Sequence, residues 1–470
     1  MASRAMKRVL CFAALWMTLI SSVGSYSTVA AAETLCIGVQ VKPRADLRTL
    51  IDSHAEGTTF CLSDGTYRPE QPLRPKNGQR FIGVSEAIIS GSQVVDDFRR
   101  DATGYWTTAW IAPKPTLGGE CDHGYTGCAY ADDVFLDNVR LWRVTSLSDL
   151  RPGAAYIDYG ARQLYLAEDP GNSKVEVAIA PYAFGGSARN VEIRGLVIEK
   201  FANNALGAGA INSLSNWLIL RNEVRLNHGA GIAGSNGARV IDNYVHHNGQ
   251  YGFKGTGIGS SFEGNEVSFN NTAGFDGGAA GGSKWMRTKD LVVRNNYFHH
   301  NHGAGIWVDN DNYNALIQDN VTVDNAGHGI HYEVSYNAVI RNNRSANNGA
   351  WGILVTSSPN VEVFGNEISN NGIGGILLQQ TNRGTGAFGP HLATNNSVHD
   401  NTITMRSGFT GARSAVNDNL IYGNNNRFAR NNYRLANLAG KYFLWNRTKM
   451  VKDQWVRLGH DTAGSFSQRR

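Results

Sequence analysis

From about Leu218 the chain repeats one pattern, and no other feature narrows its fold so much. RNEVRLNHGAGI, DNYVHHNGQYGF, GNEVSFNNTAGF, NNYFHHNHGAGI, DNVTVDNAGHGI, NNRSANNGAWGI and GNEISNNGIGGI all obey Asn-x4-Asn-x3-Gly followed by Ile or Phe. The first Asn of each falls at Asn222, Asn243, Asn265, Asn296, Asn320, Asn343 and Asn366, in steps of 21, 22, 31, 24, 23 and 23 residues. A period near 22 with one longer excursion is the mark of a solenoid. Within each unit apolar residues alternate, as in Ala338-Val339-Ile340-Arg341 and Gly352-Ile353-Leu354-Val355. Those runs read as short strands between Asn/Gly turns, and no unit has room for a helix of normal length. One unit is then one coil of three strands, and stacked coils make an all-β, parallel β-helix with Val, Ile and Phe inside. The recurring Asn residues are expected to form an inward ladder that satisfies backbone groups at one turn; they are scaffold.

The rest of the chain reads as additions to this rod. Residues 1–32 have a basic start at Arg4, Lys7 and Arg8, an apolar run from Val9 to Ile20, and a small-residue end at Ala30-Ala31-Ala32. This predicts a signal peptide cleaved after Ala32, and a secreted or periplasmic protein. No later segment is apolar for long enough to span a bilayer, so no membrane insertion is expected after cleavage. Residues 33–95 are assigned to an N-terminal cap, with a short helix over Arg44 to His54, and the first coils. Residues 96–185 break the period and read as a β-rich insertion or small domain. Residues 186–405 carry the repeats, and 406–470 a C-terminal cap and a basic, partly disordered tail.

Charge and cysteine content narrow the function classes. The whole chain has 44 Lys and Arg against 39 Asp and Glu. The leader carries three of the bases and no acid, so the remainder has 41 against 39, a net of +2. There is no concentrated basic patch of the kind that binds nucleic acid. Four cysteines follow the leader, and an even number in an exported chain points to disulfides. Cys36 with Cys61 and Cys121 with Cys128 is the preferred pairing, although spacing leaves it open; a zinc site fits the spacing less well. His246, His247, His299 and His300 read as outward turn residues and no metal is expected.

Alternation selects which side chains leave the rod. With Ile306 inward, Trp307 points out, Val308 in and Asp309 out; in the next coil Ile330 is in, His331 out, Tyr332 in and Glu333 out. The outward column one residue after the Ile or Phe reads Ala233, Lys254, Asp276, Trp307, His331, Leu354, Leu377. Asp309 and Glu333 should therefore sit side by side, with Cα atoms about 4.8 Å apart, in a solvent-facing furrow. Carboxylates about 5 Å apart suit a retaining glycosidase, one as nucleophile and one as acid/base. Trp307 would offer an apolar face to a sugar ring, with His331 and Asp276 beside the pair, and Lys284, in the long excursion, could reach the same groove. Asp311 is a rival to Asp309, or a turn cap.

Ala280 to Lys284 (AGGSK), Gly305 to Asn312 (GIWVDNDN) and Gly329 to Asn343 resemble segments of the secreted right-handed parallel β-helix proteins of the pectate-lyase-like superfamily. They are also similar to β-helix glycoside hydrolases that include β-xylosidases. That resemblance implies Asp309 as nucleophile, Glu333 as acid/base and Lys284 as a substrate contact. The turn after Asp309 departs from the pattern: Ile306 to Asn320 is 14 residues, against 13 from Ile330 to Asn343, and Asp311 lies in it. The choice between Asp309 and Asp311 stays open.

The leading expectation is a cofactor-free glycoside hydrolase acting on an extracellular poly- or oligosaccharide. A polysaccharide lyase or uronate epimerase is the alternative, with Lys254 or Lys284 as base and Asp276, Asp309 and Asp311 holding Ca²⁺. No arginine stands in phase to clamp a uronate carboxylate. A third expectation is a non-catalytic glycan-binding β-helix.

Overall fold

The computed structural model describes residues 35–205, 207, 209–416, 421 and 423–469; the expected leader lies outside them. Each repeat is one coil of three strands. Ile306–Asp309, Tyr313–Gln318 and Val321–Val323 form one coil, and Ile330–Glu333, Tyr336–Arg341 and Arg344–Ala346 form the next. Every strand runs parallel to its counterpart: Ile306 faces Ile330, Leu316 faces Val339, and Val321 faces Arg344. Inward residues such as Ile306, Val308, Ile330, Tyr332, Ile353 and Val355 are fully buried in one continuous core that runs from Val41 to Trp455.

The local chemistry of the repeat explains the corners. The residue before each ladder Asn has positive φ: Arg221, Asp242, Gly264, Asn295, Asp319, Asn342 and Gly365 lie between 53° and 65°. Asn, Asp and Gly, which tolerate this region best, hold six of the seven places. The following Asn then turns inward. Asn320 Oδ1 accepts from the backbone N–H and the side-chain amide of Asn296, both at 3.0 Å, and its own amide donates to Val293 O and Asn343 Oδ1. The second Asn of the motif builds a second ladder, Asn227 through Asn371, on the same plan. The Gly before the Ile is required by close approach: a Cβ on Gly305 would meet Gly329 O and the Asn325 amide at 3.0 Å.

The coils continue beyond the motif. Thr402–Met405 pairs with Asn432–Leu435, which pairs with Ser465–Gln468, so strand pairing reaches Gln468, where a partly disordered end is expected. The first ladder carries it: Asn366 bonds to Asn401, Asn401 to Asn431, and Asn431 to Asp461. Asp461 also accepts from Tyr433 Oη and Trp455 Nε1. Trp455 is the buried residue of the distal capping helix, Lys452–Arg457. At the other end the helix Leu47–Ser53, N-capped by Asp46, buries Leu47 and Ile51 over the first coil.

Beside the rod stand two further sheets, a four-stranded antiparallel one and a five-stranded mixed one, with a core of their own that includes Trp110, Val134, Ile157, Leu164 and Val177. Ser92–Val95 already belongs here, pairing with Val175–Ala178. Fully buried Lys200 of the rod ion-pairs with Glu176 of the insertion, which also takes Arg68. Both expected disulfides form, Cys36–Cys61 and Cys121–Cys128.

Candidate functional site

Strand pairing places Asp309 directly opposite Glu333, and Trp307 opposite His331. The outward column needs one correction. In the coil with the long step, Gly274-Phe275 matches the motif but lies in an excursion. The rod strand there is Gly281–Lys289, in which Ser283 pairs with Phe253 and Lys284 with Lys254. Trp285 pairs with Val308, which sets Lys284 beside Trp307. The column therefore runs Lys254, Lys284, Trp307, His331, Leu354, Leu377, with Lys284 where Asp276 was expected. Asp276 instead caps the short turn Gly277–Ala279 through Gly278 N and is exposed at the rim.

A second correction concerns exposure. Trp307, Asp309, His331 and Glu333 point away from the core, yet each is only 8% exposed. They pack on one another and are roofed by other segments. Lys284 Nζ lies 3.0 Å from Asp309 Oδ2 and 3.5 Å from the centroid of Trp307. The His331 ring stacks near-parallel to Trp307 at 5.6 Å between centroids. With a cation on the ring and an imidazole stacked beside it, Trp307 offers an edge to a ligand and no open face. Column neighbours on coils about 4.8 Å apart make such stacking unavoidable for flat side chains. Trp307 Nε1 donates to Glu333 Oε2 at 3.2 Å, and Arg383 Nη1 donates to Glu333 Oε1 at 2.6 Å.

The electrostatics follow from this crowding. Burial pushes the Asp309 carboxyl above the usual aspartate range; Lys284 opposes the shift and Glu333 adds to it. Asp309 Oδ1 is buried without a hydrogen-bond partner among the described residues. Burial drives the His328 and His331 imidazoles down to about 3, with His331 acting on the first and Lys284 and Arg383 on the second. His331 is thus neutral, and its Nε2 lies 3.1 Å from Thr356 Oγ1. Burial, reinforced by Lys284, holds the Lys254 ammonium below its usual range.

A cavity of about 570 Å³ opens beside Trp307 and His331, lined also by Asp122, Tyr125, His302 and His328; Asp309, Glu333, Lys284 and Arg383 do not line it. Its outer wall is the disulfide loop of the insertion, bonded to the excursion by Asp122 N to Gly274 O and Asp276 N to Glu120 O, both 2.9 Å. On the far side stands the loop after Gly374–Gln380, which carries Arg383. Asp311 belongs to that loop's support and is held apart from the pair: its Oδ1 takes His391 Nε2 at 3.0 Å and Ala387 N at 3.1 Å. Asp276, Asp309 and Asp311, the three acids of the calcium alternative, thus have three separate partners, and among the described residues no group of three or more metal-type ligands converges. His246 and His299 are buried against Glu223 and Glu266. Arg383, Tyr125 and His328 were not expected here: Arg383 and Tyr125 lie off the repeat and only the fold brings them in, whereas His328 stands on it, directly before the motif glycine Gly329.

The fold is a right-handed parallel β-helix. A family model described as a right handed beta helix region matches residues 206–349. XylC, solved in complex with xylose, aligns with a TM-score of 0.67 at 13% identity, over 90% of this chain and 82% of that one. The A-module of the Azotobacter vinelandii mannuronan C-5 epimerase AlgE4 aligns at 0.51 and 16% identity, over 87% and 96% of the two chains. No curated protein matches the sequence.

Proposed function

We propose that this chain is a retaining glycoside hydrolase acting on a poly- or oligosaccharide outside the cytoplasm, with Asp309 as nucleophile and Glu333 as acid/base. One observation carries the reading: the two acids face each other on paired strands, outside the core. Paired strand positions bring Cα atoms to about 4.8 Å, close to the carboxylate spacing of roughly 5–5.5 Å that double displacement uses. The roles follow from the cations. Lys284 is fixed on a rod strand and keeps negative charge on Asp309, while the bare Asp309 Oδ1 is free to attack an anomeric carbon. Arg383 comes from a loop, so Glu333 can lose its cation, take up a proton and deliver it to the leaving oxygen. Glu333 then activates the water that releases the sugar. No cofactor is required. Two disulfides accord with an oxidising compartment, as the expected leader does.

The test is a product screen over neutral and acidic glycans. Glu333→Gln should lose about 10²–10⁴-fold in turnover, and azide should restore an activated aryl glycoside to a glycosyl azide of retained configuration. Asp309→Asn should be inactive, with no such rescue. Full turnover in either variant rejects the mechanism. Glycan binding by the wild type with no product would leave the non-catalytic reading.

A lyase or epimerase remains the second reading, favoured by Lys254. Lys254 is half-buried, its ammonium donates to Ala205 O and Gly207 O, and desolvation holds it below its usual range, as a proton-abstracting lysine would need. An unsaturated uronate product, seen by its ultraviolet absorbance, would favour it.

A further inference from the structure

Glu333 is occupied: Arg383 Nη1 sits 2.6 Å from its Oε1. The loop that supplies Arg383 is braced from several sides. Asp311 holds His391 and Ala387, Tyr336 Oη donates to Gly389 O at 2.6 Å, and the Gln380 amide bonds His391 O and Ala393 N. The backbone of Arg383 is therefore set in place, while its side chain remains 42% exposed, far more open than the carboxylate it touches. The guanidinium faces both Glu333 and solvent.

Around the acid pair itself the cations outnumber the acids, while Asp122 lines the adjoining cavity and Asp276 stands at its rim. Lys254, Lys284 and Arg383 stand against Asp309 and Glu333. Among the described residues Lys254 pairs with no acid; its ammonium donates to two carbonyls. His328 and His331 are neutral and change nothing in that count. When Glu333 is protonated to act as an acid, Arg383 loses its partner as well, and two cations lack a counter-charge. A neutral sugar cannot supply one. A carboxylate can, and the planar fork of a guanidinium matches it with two parallel hydrogen bonds.

We propose that Arg383 is the specificity residue of the groove, exchanging Glu333 for the carboxylate of a uronic acid unit, so that acidic glycosides are taken in preference to neutral ones. The inference rests on the reading of this groove as a carbohydrate-processing site. It also gives the acid a means of release, since the substrate's own charge draws Arg383 away from Glu333.

The test uses a nitrophenyl glucuronide and the matching glucoside, which differ only in the carboxylate, with wild type, Arg383→Gln and Arg383→Lys. The wild type should prefer the glucuronide, and the ratio of the two kcat/KM values should fall about 30-fold or more in Arg383→Gln. Arg383→Lys should keep part of the preference, having the charge without the fork. Calorimetric binding of oligouronides forms a second arm, independent of turnover: wild type binds, and Arg383→Gln binds about 30-fold more weakly or worse. That arm supports the inference even if no glycoside is cleaved, so failure of the hydrolase reading remains distinguishable. Thermal unfolding checks that the variants are folded. Equal losses on both glycosides, uronide binding indifferent to Arg383, or a wild type that neither binds nor cleaves uronides would overturn it.

Discussion

The ammonium of Lys284 stands 3.0 Å from the carboxylate of Asp309, in a groove where both side chains are largely shut away from water. That contact opposes the upward push of burial on the Asp309 carboxyl. An acid whose value is raised in the folded enzyme is ionised only above that raised value, so kcat/KM should fall as the pH drops through it. The acid limb of the profile should lie above the ordinary aspartate range. Lys284→Met removes the opposing charge and should move that limb upward by about one pH unit or more. A limb unchanged in Lys284→Met would detach Asp309 from the profile.

Asp311 supports a loop, and its loss should look different from loss of a nucleophile. Asp311→Ala frees His391 and the backbone of Ala387. Misplacement of Arg383 should then lower kcat/KM by about ten- to a hundredfold. Some turnover should survive, with the same retained configuration. An Asp311→Ala variant as inactive as Asp309→Asn would reverse the assignment of the two acids.

The ladder makes a stability prediction. Asn320→Ala strands the N–H of Asn296 and the carbonyl of Val293 in a dry interior. The cost should be about 2–4 kcal/mol, read from the urea midpoint. A change within about 0.5 kcal/mol, the range of ordinary surface substitutions, would mean that the ladder contributes little.

The two disulfides should separate stability from binding. Cys36–Cys61 closes a loop of 25 residues at the capped end, and replacing both cysteines by serine should cost about 3 kcal/mol. Cys121–Cys128 spans only 7 residues in the wall of the cavity beside Trp307. Its removal should raise KM for oligosaccharides and cost less stability than loss of the first bridge, about 2 kcal/mol.

Much of this arrangement was legible because the repeat is a ruler. Ile306 and Ile330 share a phase, so Asp309 and Glu333 had to share one too, and the paired strands agree. The ruler failed where the chain left the rod. Gly274-Phe275 satisfies the motif letter by letter, yet the coil is closed by Gly282-Ser283, where a Cβ on Gly282 would lie 2.6 Å from Gly305 O; a Cβ on Gly274 would instead meet Tyr125 of the insertion. The shift gave the column Lys284 in place of Asp276. Arg383 and Tyr125 were illegible for a different reason: they reach the groove from loops whose course depends on tertiary contacts such as Asp311 with His391. Outward pointing was likewise mistaken for exposure, since alternation says which way a side chain leaves a strand and nothing about what later covers it.

Asp461 ends the row of ladder amides, and the swap of one nitrogen for one oxygen has a consequence for the size of the particle. Every asparagine in the row both receives a bond and passes one on. Asp461 only receives, from Asn431, Tyr433 and Trp455. A carboxylate has no proton to hand to another turn, so it acts like the chain-terminating monomer of a polymer. An identical molecule arriving at this end meets no amide donor in this row, so the ladder has nothing with which to extend into it.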